Sequence, residues 1–307
     1  MPNSLYLDTN VYLSFYHLSN EDLEELEKLS SLMKSKEIAL YLPEQTKNEF
    51  YRNRDSKIAD AIKRFTENRL NNIFPQIIKD YDIEYTSMRE AIKTYDSNKQ
   101  IILTKISDDI KKKSLKADIV IEKLFKNARL IESTSELIND AKTRFDLGNP
   151  PGKNNSYGDA LNWESLISSI DDFESFFFIS DDKDYYSEFD MNVFNSYLLQ
   201  EWGKRMPLTN FKYYKSLSQF FKENYPNINI AVEEKKEKII AKLAITSTYS
   251  NTRKVLGELK QFDEFTPKQL NDIIHAAINN NQVFWIADDH DIVQYFKNLL
   301  QKKAHLI

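Results

Sequence analysis

The acidic residues of this sequence are spaced in a way that predicts a carboxylate site. Asp8 directly follows a short β-prone apolar run, and Asp182 lies in an acidic turn after another apolar run. Asp159 opens a helix after a loop rich in proline and glycine, and Glu49 lies in the helix after a further predicted strand. The turn around Asp182 also contains Asp181 and Asp184. Because functional groups collect beyond the carboxyl ends of parallel strands, we expect these acids to meet.

Such a set of carboxylates suits a hard divalent cation. Mg²⁺ and Mn²⁺ prefer oxygen ligands and keep several waters, so a few carboxylates from separate elements are enough. These ions activate water for attack on phosphorus and stabilise the leaving oxygen. Residues 159–190 hold ten carboxylates and one cation, Lys183, so the segment needs positive charge to relieve repulsion. Taken singly, each acid is better explained as a helix cap or a surface residue; their order along the chain favours a metal site.

Composition excludes several other kinds of chemistry. The chain of 307 residues has no cysteine, which excludes disulfides, thiolate zinc sites, iron–sulfur clusters and a cysteine nucleophile, and favours a reducing compartment. Its four histidines are scattered, and neither HExxH nor GxSxG occurs, so a zincin or a serine hydrolase is not indicated. No apolar run near a strand approaches the length of a membrane span, and the N-terminus lacks a signal pattern. We therefore expect a cytoplasmic protein.

The elements that position the acids alternate between strands and helices. Apolar runs at residues 4–7, 38–42 and 176–179 predict buried strands, and the first two lead into helical spacing. This alternation predicts an α/β fold of three layers, α/β/α, with a central parallel sheet. Residues 56–142 contain one proline and no glycine, which predicts a long helical insertion over about residues 55–145.

The length and a change of pattern predict two domains. At about 150 residues per domain the chain has room for two, and the pattern changes near residue 206. We therefore predict an α/β domain over residues 1–206 and a smaller, mostly helical domain over residues 207–307. The latter is a candidate surface for a protein partner or a dimer. Its predicted elements are helices at 211–223, 233–244 and 268–279, a short strand at 283–287 and a final helix to about residue 300.

The charge of the chain is unevenly distributed. Its net charge is −5, yet residues 51–130 carry 18 basic and 12 acidic side chains, a balance of +6. The densest part includes Lys111, Lys112 and Lys113. A solvated helix face is the commoner explanation for such a run, whereas a surface that binds phosphates is the functional alternative.

Four motifs in order resemble those of the PIN-domain nucleases. They are LYLDTN at residues 5–10, LPEQTKNEF at 42–50, SYGDA at 156–160 followed by Trp163 and Glu164, and ISDDKDY at 179–185. The resemblance covers about the first 200 residues. It is greatest to the branch with a Pro-Gly-Lys loop, here residues 151–153, before the Gly-Asp motif.

The resemblance implies metal-dependent hydrolysis of phosphodiesters, most often of RNA, with Mg²⁺ or Mn²⁺ as cofactor and frequently a toxin or defence role. It matches Asp8, Glu49, Asp159 and Asp182 to the acidic quartet of the family. The supporting positions are Asp184 as a fifth acid, and Asn10 and Ser180 as polar residues that orient ligands or water. Asp181 is an extra acid, which leaves open whether it or Asp182 faces the metal.

Two further residues lie where substrate would pass. Lys153 is in the loop before the acid-bearing helix, where a cation could meet the scissile phosphate, but a solvated lysine is equally consistent. Tyr157 is suited to stack on a base or, equally, to pack on the loop. With the Lys111 to Lys113 run, these residues are the candidate substrate contacts.

Two other interpretations remain beside the nuclease. A catalytically silent nucleic-acid-binding or scaffold protein would keep the fold without cleavage. A haloacid-dehalogenase-like phosphatase would use Asp8 as nucleophile, but Asn10 stands where that chemistry wants a second acid. In the C-terminal domain, the acidic cluster at residues 288–291 is consistent with a metal site, although a capped helix explains it better.

Overall fold

The fold centres on a parallel sheet of five strands in the order β3-β2-β1-β4-β5. The computed structural model describes residues 3–16, 23–152, 157–170, 175–226, 228, 230–262, 265–286 and 288–304. β1 is central, with Leu5 in register with Leu40 on one side and Phe177 on the other. The strands are β1 Asn3–Leu7, β2 Ile38–Pro43, β3 Arg129–Ile131, β4 Ser175–Ile179 and β5 Asn210–Tyr214. The predicted α/β class with a parallel sheet is confirmed.

Helices cover both faces of the sheet. In chain order they are α1 Thr9–Ser14, α2 Leu23–Lys34, α3 Glu44–Glu67, a 3₁₀ helix Gln76–Asp80, α4 Asp82–Lys112, α5 Lys116–Asn127, α6 Ser135–Asp146, α7 Tyr157–Ser169, α8 Ser196–Arg205 and α9 Leu217–Asn224. Alternation along β4 sends Phe177 into a core with α1, α2, α5 and α9, while Phe178 enters a second core with α7 and α8. The three predicted layers follow from this alternation.

The helical arm is formed by the second half of α3 and by α4. Lys99 is the buried residue of α4, and its Nζ donates to the carbonyl oxygen of Thr66, 3.0 Å away, near the end of α3. The same ammonium lies 5.3 Å from the centroid of the Phe65 ring. The predicted insertion is thus largely helical, but it also contains β3, an edge strand of the sheet. Three residues are too short a run for the apolar pattern to indicate a strand.

Two local predictions after residue 206 are wrong. Residues 210–214 overlap the predicted helix at 211–223 but form β5. Their backbone pairs with β4, and their aromatic side chains pack on the two cores. The predicted strand at 283–287 is instead the short helix α13, Asn281–Trp285, begun by Asn280, whose side chain accepts from the Gln282 N–H. Residue 287 lies outside the described residues.

The helices beyond α9 have a hydrophobic core of their own. They are α10 Ile230–Ile245, α11 Tyr249–Leu259, α12 Pro267–Asn279, α13 and α14 His290–Ala304. Leu243, Leu256 and Ile273 are fully buried among them. The acidic cluster at the start of α14 is paired with cations: Asp291 lies 2.8 Å from Lys260 Nζ, and Asp289 pairs with Arg253. None of the helices in the described ranges is both long and apolar enough to cross a membrane.

Candidate active site

Asp8 lies at the carboxyl end of the central strand and begins α1. One carboxylate oxygen accepts the Thr9 N–H at 2.7 Å, and the other accepts the Ser180 hydroxyl at 2.8 Å. The side chain is only 2% exposed. Since β1 and β4 are neighbours, Ser180 comes from the matching end of β4 and links the two strand ends.

The turn after β4 presents Asp182 beside Asp8. The Asp182 N–H donates to Ser180 Oγ at 3.0 Å, so Ser180 bridges the two acids. The Asn10 side-chain amide donates to Asp182 Oδ2 at 3.4 Å, and the Asp184 N–H donates to Oδ1 at 3.0 Å. Asn10 and Ser180 therefore form hydrogen bonds to the acids beside them.

Glu49 and Asp159 approach from the helices on either side. The Thr9 hydroxyl donates to Glu49 Oε2 at 3.3 Å. Gly158 brings the start of α7 against α3, because a Cβ built there would lie 3.5 Å from Glu49 Oε2 and only 2.7 Å from Gln45 Nε2. Asp159 is the next residue and acts electrostatically on Asp8. We call Asp8, Glu49, Asp159 and Asp182 the acidic centre.

Ionisation of Asp8 and Glu49 in the acidic centre is unfavourable. Burial, followed by the charge of Asp159, raises the pKa of Asp8 to about 8, against the opposing hydrogen bond from Ser180. Burial also raises the pKa of Glu49, opposed by the Thr9 hydrogen bond. The four predicted acids thus surround one region at the carboxyl edge of the sheet.

The carboxylate oxygens of the acidic centre suit a hard cation, although they do not form a complete set of protein ligands. Within the described part of the chain, no three acidic or histidine side chains are grouped closely enough to hold a metal ion. Mg²⁺ is commonly bound through one or two carboxylates with waters and substrate phosphates, so oxygen donors around a buried Asp8 with a raised pKa fit this chemistry. Nothing in the donor set favours a softer metal.

The neighbouring acids Asp181 and Asp184 have different partners. Asp181 is exposed and lies 3.0 Å from Lys215 Nζ. Asp184 Oδ2 accepts the Gly152 N–H at 3.0 Å and so anchors the loop before α7. These contacts distinguish both acids from Asp182, which accepts the Asn10 side-chain amide.

Arg144 holds the other side of the same loop. It donates to the Pro150 carbonyl oxygen at 2.7 Å and to Glu164 at 2.7 Å, and it also pairs with Glu201. Trp163 Nε1 donates to the second oxygen of Glu201 at 2.8 Å. This buried network ties α6, α7 and α8 to the loop that precedes Asp159.

We expect Arg144→Leu to lower the free energy of unfolding by about 3 kcal/mol, because Glu164 would be left buried without its cation. Chemical denaturation of the purified protein measures this change. Arg205→Leu, at an exposed position at the end of α8, is the matched control. Equal stability of the two variants would contradict a structural role for the Arg144 network.

The predicted substrate contacts lie in different places. Tyr157 stacks on Phe145, with ring centroids 4.2 Å apart, which agrees with packing beside the loop. Lys111, Lys112 and Lys113 are exposed at the end of α4, where Lys113 Nζ lies 5.9 Å from the Tyr51 ring centroid. Lys153 lies outside the described residues.

Sequence reasoning missed a group of lysines nearer the acidic centre. Lys57, Lys183 and Lys215 line an open cleft whose wall also includes Asn10 and Asp182. A signal for Lys57 was present, since it follows Glu49 by eight residues in one helix and thus lies on the same face. Lys215 had no comparable signal, because its position depends on β5.

The comparisons with known proteins agree with this architecture. The family model of the PIN domain matches residues 5–185, from β1 through the acidic turn after β4. No curated protein and no solved structure matches the chain. PIN domains are generally nucleases, enzymes that bind nucleic acid and hydrolyse phosphodiesters. The match spans more than half of the sequence, and the chain belongs to the PIN-domain family.

Proposed function

We propose that this protein is a Mg²⁺- or Mn²⁺-dependent endoribonuclease of the Pro-Gly-Lys branch, acting as a toxin or defence effector. The observation that carries the proposal is the convergence of acids from four separate elements on a buried Asp8 whose pKa is raised to about 8. A structural role alone gives no reason to gather charges that raise one another's pKa. RNA, the branch and the biological role are supported by the family resemblance.

The residues proposed to hold the ion are Asp8, Asp159 and Asp182, with Glu49 and Asp184 as further candidates. A divalent ion there would supply charge stabilisation to the phosphate and would lower the pKa of an attacking water. Ser180 fixes Asp8, and Asn10 orients Asp182. Of the two neighbouring acids, we infer that Asp182 faces the ion, because Asp181 pairs with Lys215.

Glu49 is proposed as the proton acceptor. Its pKa is raised by burial, which brings a carboxylate closer to the range that suits a general base at neutral pH. The Thr9 hydroxyl holds Oε2 at 3.3 Å. In this proposal a proton from the attacking water passes to the Glu49 carboxylate.

The alternative is a catalytically silent nucleic-acid-binding protein, because the lysine-lined cleft beside the acidic centre suits binding with or without cleavage. The cleavage experiment separates the two functions.

The test is cleavage of a labelled single-stranded RNA by the purified protein in Mn²⁺ and in EDTA. We expect internal cleavage in Mn²⁺, little in EDTA, and loss of cleavage in Asp159→Asn, because asparagine removes one of the carboxylates proposed to hold the ion. Asp190→Asn, in an exposed part of the same acid-rich segment, controls for a general change of charge. Equal cleavage by wild type and Asp159→Asn would show that the site is misassigned, and RNA retention without cleavage would favour the silent protein.

A further inference from the structure

The cleft beside the acidic centre has the composition of a binding site. Its volume is about 630 Å³, and Asn10 and Asp182 belong both to its wall and to the contacts of the acidic centre. Lys57 enters from α3, Lys183 from the turn after β4, and Lys215 from the end of β5. The cleft is therefore continuous with the acidic centre, where the phosphodiester is proposed to be hydrolysed.

Lys215 is held in place from two sides. Its Nζ lies 3.0 Å from Asp181 Oδ1 and 5.3 Å from the centroid of the Tyr186 ring. A cation fixed in this way loses little conformational freedom when an anion binds. Asp181 and Tyr186, which have no assigned part in hydrolysis, thus position a lysine that faces the cleft.

Lys57 extends the basic lining away from the acidic centre. It lies eight residues after Glu49 on α3, which places it about 12 Å farther along the same helix face. The three lysines outnumber the two aspartates of the lining, Asp181 and Asp182. The lining therefore carries a net positive charge, with Asp181 paired to Lys215.

We propose that this cleft binds the single-stranded nucleic acid next to the bond to be cut, with Lys57, Lys183 and Lys215 contacting its phosphates. The proposal rests on the proposed nuclease function, because that function makes the neighbouring acids the cutting site. The cleft combines lysines with an aromatic side chain, Tyr186, which is the combination that suits a single strand, because an unpaired base can stack on the ring.

Binding without hydrolysis tests the proposal. We would titrate a fluorescein-labelled single-stranded RNA with full-length protein in EDTA and follow its anisotropy at several salt concentrations. The variant with Lys57, Lys183 and Lys215 all changed to alanine is expected to bind at least about tenfold more weakly. The slope of log K against log salt concentration should become less steep by about 2, because each of the three lost phosphate contacts contributes about 0.7 to it.

The matched control changes three exposed lysines of the C-terminal helices, Lys238, Lys242 and Lys254, to alanine. This control has the same change of charge and is expected to bind like wild type. A third variant, with alanine at Lys111, Lys112 and Lys113, tests the arm as the rival surface. Circular dichroism and melting curves show whether each variant is folded.

Several results would overturn the proposal: no binding by wild type, equal losses in the cleft and control variants, loss only in the arm variant, or competition by a duplex as strong as by a single strand. Binding that depends on the cleft lysines supports the proposal even if cleavage is never found, in which case the nuclease function alone fails. Cleavage that is unchanged in the variant without the cleft lysines would support the nuclease function and contradict the proposed role of the cleft.

Discussion

Asp8→Asn is expected to abolish cleavage while stabilising the metal-free protein. The asparagine keeps one oxygen for the Thr9 N–H, and its amide nitrogen would donate to Ser180 Oγ in place of the bond that Asp8 accepts. The substitution removes a charge that burial and Asp159 disfavour. We expect at least a thousandfold loss of rate, about 4 kcal/mol of transition-state stabilisation, if Asp8 holds the ion. Single-turnover cleavage and denaturant unfolding at pH 8 in EDTA measure the two effects.

The opposite signs of these effects distinguish a functional acid from a structural one. A helix cap that is merely structural would lose stability when altered, typically by about 1 kcal/mol. Asp190→Asn serves as the exposed control in both assays. An Asp8→Asn protein that is less stable than wild type and still cuts RNA would contradict the proposed role.

The stability of the metal-free protein is expected to fall as the pH rises from about 4 to about 8. The pKa of Asp8 is raised from 3.8 to about 8 in the folded state, so the folded protein binds a proton that the unfolded chain has released. Stability is therefore lost as pH rises through this window, by up to about 5 kcal/mol from this group. The difference in unfolding free energy between wild type and Asp8→Asn isolates the contribution of Asp8 from other titrating groups.

Mn²⁺ should reverse this loss at the alkaline end. A cation that binds deprotonated carboxylates competes with protons, so its stabilising effect should grow between pH 6 and 8. Thermal melts across this range, with and without Mn²⁺, measure the effect, and Asp8→Asn should respond weakly. A difference between wild type and Asp8→Asn that does not change with pH would show that Asp8 is ionised normally in the folded protein.

The strands that precede the acids were predictable because each is a short apolar run that ends at a polar residue or at the start of a helix. This pattern holds for β1, β2 and β4. The edge strands were not predictable: β3 has three residues, and β5 reads as part of a helix because Phe211 and Tyr214 lie three residues apart. Pairing with β4 decides the conformation of β5, and such tertiary pairing is not visible in a local pattern.

The order of the acids was predictable, but the partners that separate their roles were not. Asp181 and Asp182 are adjacent and identical in type, and only the positions of Lys215 and Ser180 distinguish them. Both partners depend on β4 and its neighbours in the sheet. The polar contacts of Tyr6 with Thr46, and of Thr46 with Asn162, join residues from three elements and likewise left no local signal.

The extent of the sheet bears on where the chain divides into domains. β5 and α9 follow residue 206, yet Tyr214, Leu217 and Phe220 pack in the core beside α1 and α2. We propose that the division lies between α9 and α10, where a separate core begins. A truncation that tests the C-terminal helices should therefore retain residues through α9.

Gly158 has no Cβ, and this allows the start of α7 to lie close to α3. With Gln45 Nε2 at 2.7 Å and Glu49 Oε2 at 3.5 Å from the place of a Cβ, a methyl group there would displace the end of the Gln45 side chain beside Glu49. The two helices carry Asp159 and Glu49, so their separation sets how far apart the two carboxylates stand. A side chain at position 158 would therefore crowd Gln45 and Glu49, so an uncharged residue can alter the arrangement of the acids with every acid still in place.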